Sequence, residues 1–414
     1  LKSIRHSLTN GTFTRMISVE EAERIILETA TLALAETLPF EQCLGRTLAQ
    51  DIVADTDLPP FHRVMMDGIA IRSADLNSGT RVFELKGIQR AGGEQQRLPN
   101  GPCALEIMTG AVLPDNANAV IAYEEIEIIN GKAHVRIDSI TTYKNVHLRG
   151  TDKKQGDVLV QSEATLSAME LAIAASCGAT RLSVRRLPRL HIFSTGDELV
   201  EPHTQPLPHQ IRRSNVYALQ FLLQQHGYPA TQSHISDNDK EVTAALQKAL
   251  GENDVVILTG GVSKGKYDLI PEALASCGVE KIFHRIAQRP GKPMYFGKSQ
   301  STVVFALPGN PVSTFMCAVR YLLPFLTKCS GHENQHTLHA LLTQSIKPNP
   351  SLTFFAQVQL SWNEEGQLLA TPVAGNGSGD YSSLAHAHAF AELPSPADVT
   401  DADNLVKVFP FKKY

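Results

Sequence analysis

Four glycine-rich turns crowd residues 190–315 of the chain, and three of them directly follow apolar runs of strand length. The turns read Ser194-Thr195-Gly196-Asp197-Glu198, Thr259-Gly260-Gly261-Val262-Ser263, Arg289-Pro290-Gly291-Lys292-Pro293 and Leu307-Pro308-Gly309-Asn310-Pro311-Val312-Ser313. The runs are Leu190-His191-Ile192-Phe193, Val255-Val256-Ile257-Leu258 and Val303-Val304-Phe305-Ala306-Leu307. Between them lie amphipathic patterns that predict helices over 214–226, 240–250, 269–277 and 312–328. Such alternation predicts a parallel sheet with helices on both faces. Ligands of these sheets bind outside the carboxyl ends of the strands. Backbone amides, hydroxyls, Arg, Lys and carboxylates therefore gather at one edge, which suits a phosphorylated or oxyanionic ligand with a metal ion.

The flanking segments read differently. Ser18-Val19-Glu20-Glu21 is a capping-box pattern, and Ala22, Ile25, Ile26 and Thr29 continue a helical stripe, so a helix is predicted to about residue 36. Short strands punctuated by Pro59-Pro60, Gly92-Gly93, Pro114-Asp115-Asn116 and Asn130-Gly131 follow. A second helix is predicted over 167–177, and a run of short strands follows Ser330-Gly331. The predicted architecture is multidomain α/β plus β. A helical/strand scaffold is formed by 1–57 with 146–185, a β-rich inserted domain by 58–145, a three-layer α/β domain by 186–330, and a small C-terminal β-barrel domain by 331–414.

At 414 residues the chain has room for more than one domain, and its net charge of −4 gives no reason to expect a nucleic-acid partner. No apolar run reaches membrane-spanning length. Residues 1–15 are polar and lack the apolar core of a secretion signal. The six cysteines are scattered without a Cys-x-x-Cys pair, as in a reducing compartment. A cytoplasmic protein is the expectation.

Each turn has its own chemistry. Asp197 and Glu198 are hard oxygen donors suited to Mg²⁺, and Asp237 and Asp268 fall on the same predicted edge. Gly260, Gly261 and Ser263 offer amides and a hydroxyl to a phosphate. Gly260 to Lys266 also has P-loop spacing, but Tyr267 stands where that motif needs Ser or Thr, which argues against an NTPase. Arg289 and Lys292 are two cations on a turn stiffened by two prolines. Pro311 near a helix start leaves amides facing an anion beside Pro308, Gly309, Asn310 and Ser313. Taken alone, Asp197 and Glu198 are also explained as helix N-terminal caps, Gly260-Gly261 as a strand-to-helix turn and Arg289–Pro293 as a solvated basic turn, whereas the seven-residue turn Leu307–Ser313 is hard to explain by packing alone.

Taken in order, these motifs resemble the MoeA family, the molybdopterin molybdenumtransferases that include the E domain of gephyrin. Met66-Asp67-Gly68, Ile107-Met108-Thr109-Gly110-Ala111 and Phe193-Ser194-Thr195-Gly196-Asp197-Glu198-Leu199 carry the match together with the other three glycine turns. The resemblance implies a MogA-like molybdopterin-binding α/β domain and a homodimer whose scaffold makes the contact. It implies a transferase of molybdenum cofactor biosynthesis that takes adenylylated molybdopterin and molybdate, releases AMP, and leaves molybdenum on the dithiolene. It further implies Mg²⁺, and contact with the molybdopterin adenylyltransferase. Asp67, Asp152, Glu198 and Asp268 would be catalytic, and Asp197, Glu198, Asp237 and Asp268 would serve the metal. Thr109 and Ser378 would join the glycine-turn residues in binding substrate.

Four positions depart from the family pattern: Arg289 for Lys, Thr151 for Glu, Arg213 for Asp or Asn, and Ala356 near an Arg of some members. Two other readings stand beside the transferase. One is the adenylyltransferase that shares the α/β domain; the other is a gephyrin-like scaffold without catalysis.

Overall fold

Successive residues of the central strands face opposite helical layers. Val255, Ile257, Val303, Phe305 and Leu307 pack with Val19, Ala22, Ile26, Leu219 and Met316. Their neighbours Val256, Leu258, Val304 and Ala306 pack with Val242, Leu246, Ile270 and Leu274. This period-two division is what a strand buried on both faces requires. The result is a sheet between two helical layers, as the sequence predicts.

The computed structural model describes residues 16–236, 238–261, 270–332, 337–347, 351–395 and 400–412. They divide into two units, residues 1–36 with 185–414, and residues 37–184. In the first, the sheet runs Ala230–Ile235, Leu190–Thr195, Val255–Thr259, Val303–Leu307, Tyr295–Lys298, Glu280–His284. The first four strands are parallel, which brings the ends of Leu190–Thr195, Val255–Thr259 and Val303–Leu307 to one edge. The last two are antiparallel, so the sheet is mixed where a parallel one was expected. The connections explain this. Only four residues, Ser299 to Thr302, separate Tyr295–Lys298 from Val303–Leu307, whereas a parallel pair needs a crossover of about a dozen or more.

The predicted small barrel forms at the C-terminal end. Strands Thr353–Trp362, Leu368–Pro372, Leu338–Leu342, Leu405–Pro410 and Ala389–Leu393 pair in that order, and the last closes on the first. Its interior is narrow and is filled by small residues such as Ala340, Ala356, Ala370, Ala389 and Ala391. The short strand Gln288–Arg289 adds in parallel to Thr353–Phe354 and ties the third glycine turn to the barrel.

Two helices differ from expectation. The first spans Val19–Thr29, with Ser18 accepting from Glu21 N, and stops well before residue 36. After Thr29 the chain is extended, and Ala33 N bonds the carbonyl of Cys329 instead of continuing the helix. The second is interrupted: Pro311–Cys317 and Leu323–Cys329 are α-helical, and Ala318–Leu322 between them is a π turn. Pro324 has no N–H to give Arg320 O, and its ring would clash with that carbonyl in an unbroken α-helix.

The unit 37–184 holds a six-stranded sheet ordered 119–122, 68–71, 103–107, 82–89, 132–135, 126–129. It also holds the helix Ala168–Ser176, started by a capping box of Ser167 and Glu170. That helix packs Ala174 on Leu48, Ile52, Val160 and Leu182.

Arg320, in the π turn, is 2% exposed. Its Nε donates to Glu392 Oε2 at 2.9 Å, and its two terminal nitrogens donate to Glu23 Oε1 and Oε2 at 2.8 Å each. The guanidinium carbon lies 4.6 Å from the Phe409 ring centroid. One side chain thus joins the first helix, the last helix of the α/β domain and the barrel. Burial favours the neutral form of Glu23, but the hydrogen bonds and charge of Arg320, with Lys407 adding, hold this carboxyl below its ordinary 4.5.

Arg320→Met should cost about 3–5 kcal/mol, because Glu392 is left buried without its cation. Urea denaturation followed by circular dichroism reads this as a lowered midpoint. The Glu23 contribution is complete above about pH 4.5 and is lost as pH falls through its depressed folded value. Acid titration of the parent should therefore show a loss that Arg320→Met no longer shows.

Candidate active site

The carboxyl ends of the parallel strands open on a cleft of about 960 Å³. Each glycine turn reaches it. Thr195, at the end of its strand, donates from Oγ1 to Thr259 O at 3.4 Å and so links the first turn to the second. Gly260 and Gly261 have φ of +95° and +65°, and a Cβ on Gly261 would sit 2.6 Å from Ile270 Cγ1. A side chain is excluded there by backbone and by space, so the backbone stays open to the cleft. Gly309 lies opposite: a Cβ built on it would be 3.6 Å from Gly260 Cα.

Glu198 lines the cleft with an exposed carboxylate. Its loop is pinned by backbone bonds, Leu199 N to Gly196 O at 3.1 Å and Ile211 N to Glu198 O at 2.9 Å. Arg213 braces the same loop from below. This buried guanidinium donates to Glu201 Oε1 at 2.9 Å, Gln232 Oε1 at 3.1 Å and Ser194 Oγ at 3.3 Å, and stacks over Tyr217. The departure at Arg213 is therefore an internal brace.

Arg289 and Lys292 both line the cleft, are exposed, and have no ion-pair partner among the described residues. Their turn is held from beneath by Gln288, which is wholly buried. Gln288 Nε2 donates to Gly291 O at 3.1 Å, and Gln288 Oε1 accepts from the Tyr321 hydroxyl. Burial pushes that hydroxyl well above its ordinary range, so it remains a donor. Gly291 has φ +90°, with Cys317 Sγ 2.6 Å from where a Cβ would be.

The fourth turn is cross-braced as well. Asn215 Nδ2 donates to Gly309 O at 2.7 Å, and Thr314 Oγ1 donates to Pro308 O and Asn310 O. Asn310 Nδ2 reaches Ser378 Oγ at 2.9 Å. Of the amides expected to face an anion, that of Val312 is already taken by Ser378 O at 3.1 Å. The Ser378 loop is shaped by Asp380, whose carboxylate accepts from Ser382 Oγ at 2.6 Å and from Asn376 N at 3.0 Å. The barrel supplies an apolar wall of Ile346, Leu352, Phe354 and Val373. Ala356 also lines it and is 5% exposed.

Of the residues singled out in the sequence, Glu198, Gly260, Gly261, Arg289, Lys292, Pro308, Gly309, Asn310, Ser313 and Ser378 line this cleft. Asp197 and Pro311 adjoin it in sequence without lining it. Asp237, Ser263 and Asp268 lie outside the described residues. Asp67, Thr109 and Asp152 belong to the other unit. There Asp67 Oδ1 accepts from Thr109 N at 2.6 Å and from Thr109 Oγ1 at 2.7 Å, and both bonds hold the carboxyl below its ordinary range. Asp152 Oδ1 bonds His147 Nε2 at 2.9 Å.

Gln288, Asn215, Thr314 and Asp380 were not assigned from sequence. None carries a local pattern, because each acts on a segment brought near by the fold. As for a metal, no group of three or more His, Cys, Asp or Glu converges among the described residues. The cleft fits Mg²⁺ in the mode that uses one or two carboxylates plus ligand phosphates, with Glu198 as the carboxylate in place.

Comparison with known proteins places this architecture in a class. Residues 191–328 match a family described as a probable molybdopterin binding domain, residues 17–178 the MoeA N-terminal region (domain I and II), and residues 339–411 the MoeA C-terminal region (domain IV). A relative from Synechocystis named molybdopterin molybdenumtransferase is 39% identical over 383 residues, 92% of this chain and 96% of its own length. One of the same name from Bacillus subtilis is 31% identical over 405 residues, 95% of this chain and 93% of its own. A solved structure of a molybdopterin biosynthesis MoeA protein from Pyrococcus horikoshii has a TM-score of 0.77 at 26% identity, covering 95% of this chain and 99% of its own; another has 0.83 at 29%, covering 97% and 100%. The chain belongs to the MoeA family.

Gln288→Leu removes the support under the cationic turn without touching Arg289 or Lys292. It strands the Tyr321 hydroxyl, at about 1–3 kcal/mol for a buried group left unpaired, and leaves Gly291 O only the long contact from Cys317 Sγ at 3.8 Å. A drop in the denaturation midpoint is expected; a midpoint equal to the parent's would show that this support is not needed.

Proposed function

We propose that this chain is a molybdopterin molybdenumtransferase of molybdenum cofactor biosynthesis. It takes adenylylated molybdopterin and molybdate, releases AMP, and leaves molybdenum on the dithiolene. The observation that carries this reading is the pairing, in one cleft, of two cations without an ion-pair partner among the described residues, on a braced turn, with open glycine backbone and a carboxylate. Arg289 and Lys292 hold anionic oxygens of the phosphates or of molybdate. The backbone at Gly260 and Gly261 lies beside those oxygens, and Ser313 and Asn310 add polar groups. The apolar barrel wall shelters the bonds being exchanged from bulk water.

Cleaving a phosphoanhydride requires neutralisation of developing charge, and Mg²⁺ supplies it when bound. Glu198 is the residue proposed to hold it, with Asp197, Asp237 and Asp268 as the other candidates. Asp67, Thr109 and Asp152 are proposed to complete the cleft from the β-rich insert of a second subunit in a homodimer. A cytoplasmic location and contact with the adenylyltransferase that supplies the substrate follow from the same reading.

Incubation of the protein with adenylylated molybdopterin, molybdate and Mg²⁺ should release AMP, read by chromatography. No AMP above the protein-free rate would refute the assignment. Sedimentation should give a dimer, and an active species that remains monomeric on dilution would remove the second subunit from the site.

Lys292→Ala should weaken molybdate binding roughly ten- to a hundredfold, the effect of one charge-assisted hydrogen bond of about 1.5–3 kcal/mol. Added salt should weaken the parent more than the variant, because screening acts on the charge removed. Calorimetric titration of both at two salt concentrations measures this, and equal affinities at low salt would exclude an anion role for Lys292.

A further inference from the structure

In the unit 37–184, three polar side chains form a line. The strands Arg63–Val64 and Val146–His147 pair antiparallel with His147 directly opposite Arg63. Arg63 donates to His147 Nδ1 at 3.2 Å, and His147 Nε2 lies 2.9 Å from Asp152 Oδ1. An Arg has only donors, so Nδ1 must be the accepting nitrogen. The ring proton is then on Nε2 and is donated to Asp152.

The backbone around the carboxylate is fixed from two sides. Asp152 N bonds Leu58 O at 3.0 Å, and Thr151, where the family carries Glu, turns its hydroxyl back to Leu148 O at 2.8 Å. Arg149 is engaged elsewhere, its Nε on Asp57 Oδ2 at 2.8 Å. His147 is thus the side chain that orients Asp152, which is 56% exposed. Its second oxygen has no hydrogen-bond partner among the described residues and is left for a ligand.

We infer that His147 is a positioning residue for Asp152, and that Arg63 sets its tautomer by occupying Nδ1. The inference rests on the proposed role of Asp152 in the transferase reaction. The step is conformational: no bond breaks, and the Nε2 proton stays on the ring while it holds Oδ1 in one rotamer. A hydrogen bond between such partly exposed groups has a modest net effect, which sets the size of the expected change.

The test has two arms. In full-length protein labelled with ¹⁵N-histidine, the His147 ring signals, assigned by their loss in His147→Gln, should show the Nε2–H tautomer in long-range ¹H–¹⁵N correlation spectra. Arg63→Leu should convert them to an exchanging mixture. A parent ring protonated on Nδ1, or averaged between both nitrogens, overturns the inference. In AMP release, His147→Leu should lower kcat roughly three- to tenfold with little change in KM. His147→Gln, which keeps an N–H near the Nε2 position, should restore most of it. Parent kcat in His147→Leu, with Asp152→Asn impaired, overturns the positioning role. Parent kcat in Asp152→Asn instead overturns the reading of the site, and the positioning role with it, while the tautomer spectrum still reports on the hydrogen-bond line itself.

Discussion

A single buried guanidinium, that of Arg320, fixes how the parts of the larger unit meet. It can be buried only because every polar edge is paired, with a bidentate bond to Glu23 on the first helix and a third bond to Glu392 on the barrel. A charge in such a place is costly when misplaced. The first helix, the π turn and strand Ala389–Leu393 are therefore specified relative to one another. The cleft inherits that specification, since one wall comes from the α/β sheet and the facing wall from the barrel. The strand Gln288–Arg289 adds a second tie, pairing with the barrel while carrying the start of the cationic turn.

Inside the cleft the same principle acts at smaller scale. The residues that face a ligand sit on turns, and each turn is braced by another side chain, of which Gln288, Thr314 and Arg213 are buried. Gln288 supports the Arg289–Lys292 turn, Asn215 and Thr314 support the Pro308–Asn310 turn, and Arg213 supports the loop of Glu198. Charged groups intended for an anion must be kept apart from internal partners yet held still. Bracing the backbone rather than the side chain achieves both. This is preorganisation, and it lets the cations meet charge in the reaction without reorganising.

Much of this was legible in the chain. The glycine turns after apolar runs located the cleft edge, because positive φ and close backbone approach leave a compositional trace. The barrel and the layered sheet were legible from alternation. What failed did so for tertiary reasons. The helix from Val19 stops at Thr29 because the next residues bond Cys329, a partner three hundred residues away in sequence. The sheet is mixed because of one four-residue connection. The assignments of Asp237, Ser263 and Asp268 are not among these, because the three lie outside the described residues.

The sequence by itself determined the order of strands and helices, the positions where only glycine fits, and the kinds of charge delivered to one edge of the sheet. Those follow from periodicity and backbone sterics, which act between near neighbours. Only the tertiary structure decided which charges remain unpaired. Arg213 and Arg289 are both arginines of the α/β region, yet one is buried on Glu201 and Tyr217 and the other stands exposed in the cleft. The difference lies in which distant carboxylate each can reach, and that distance exists only once the chain has folded.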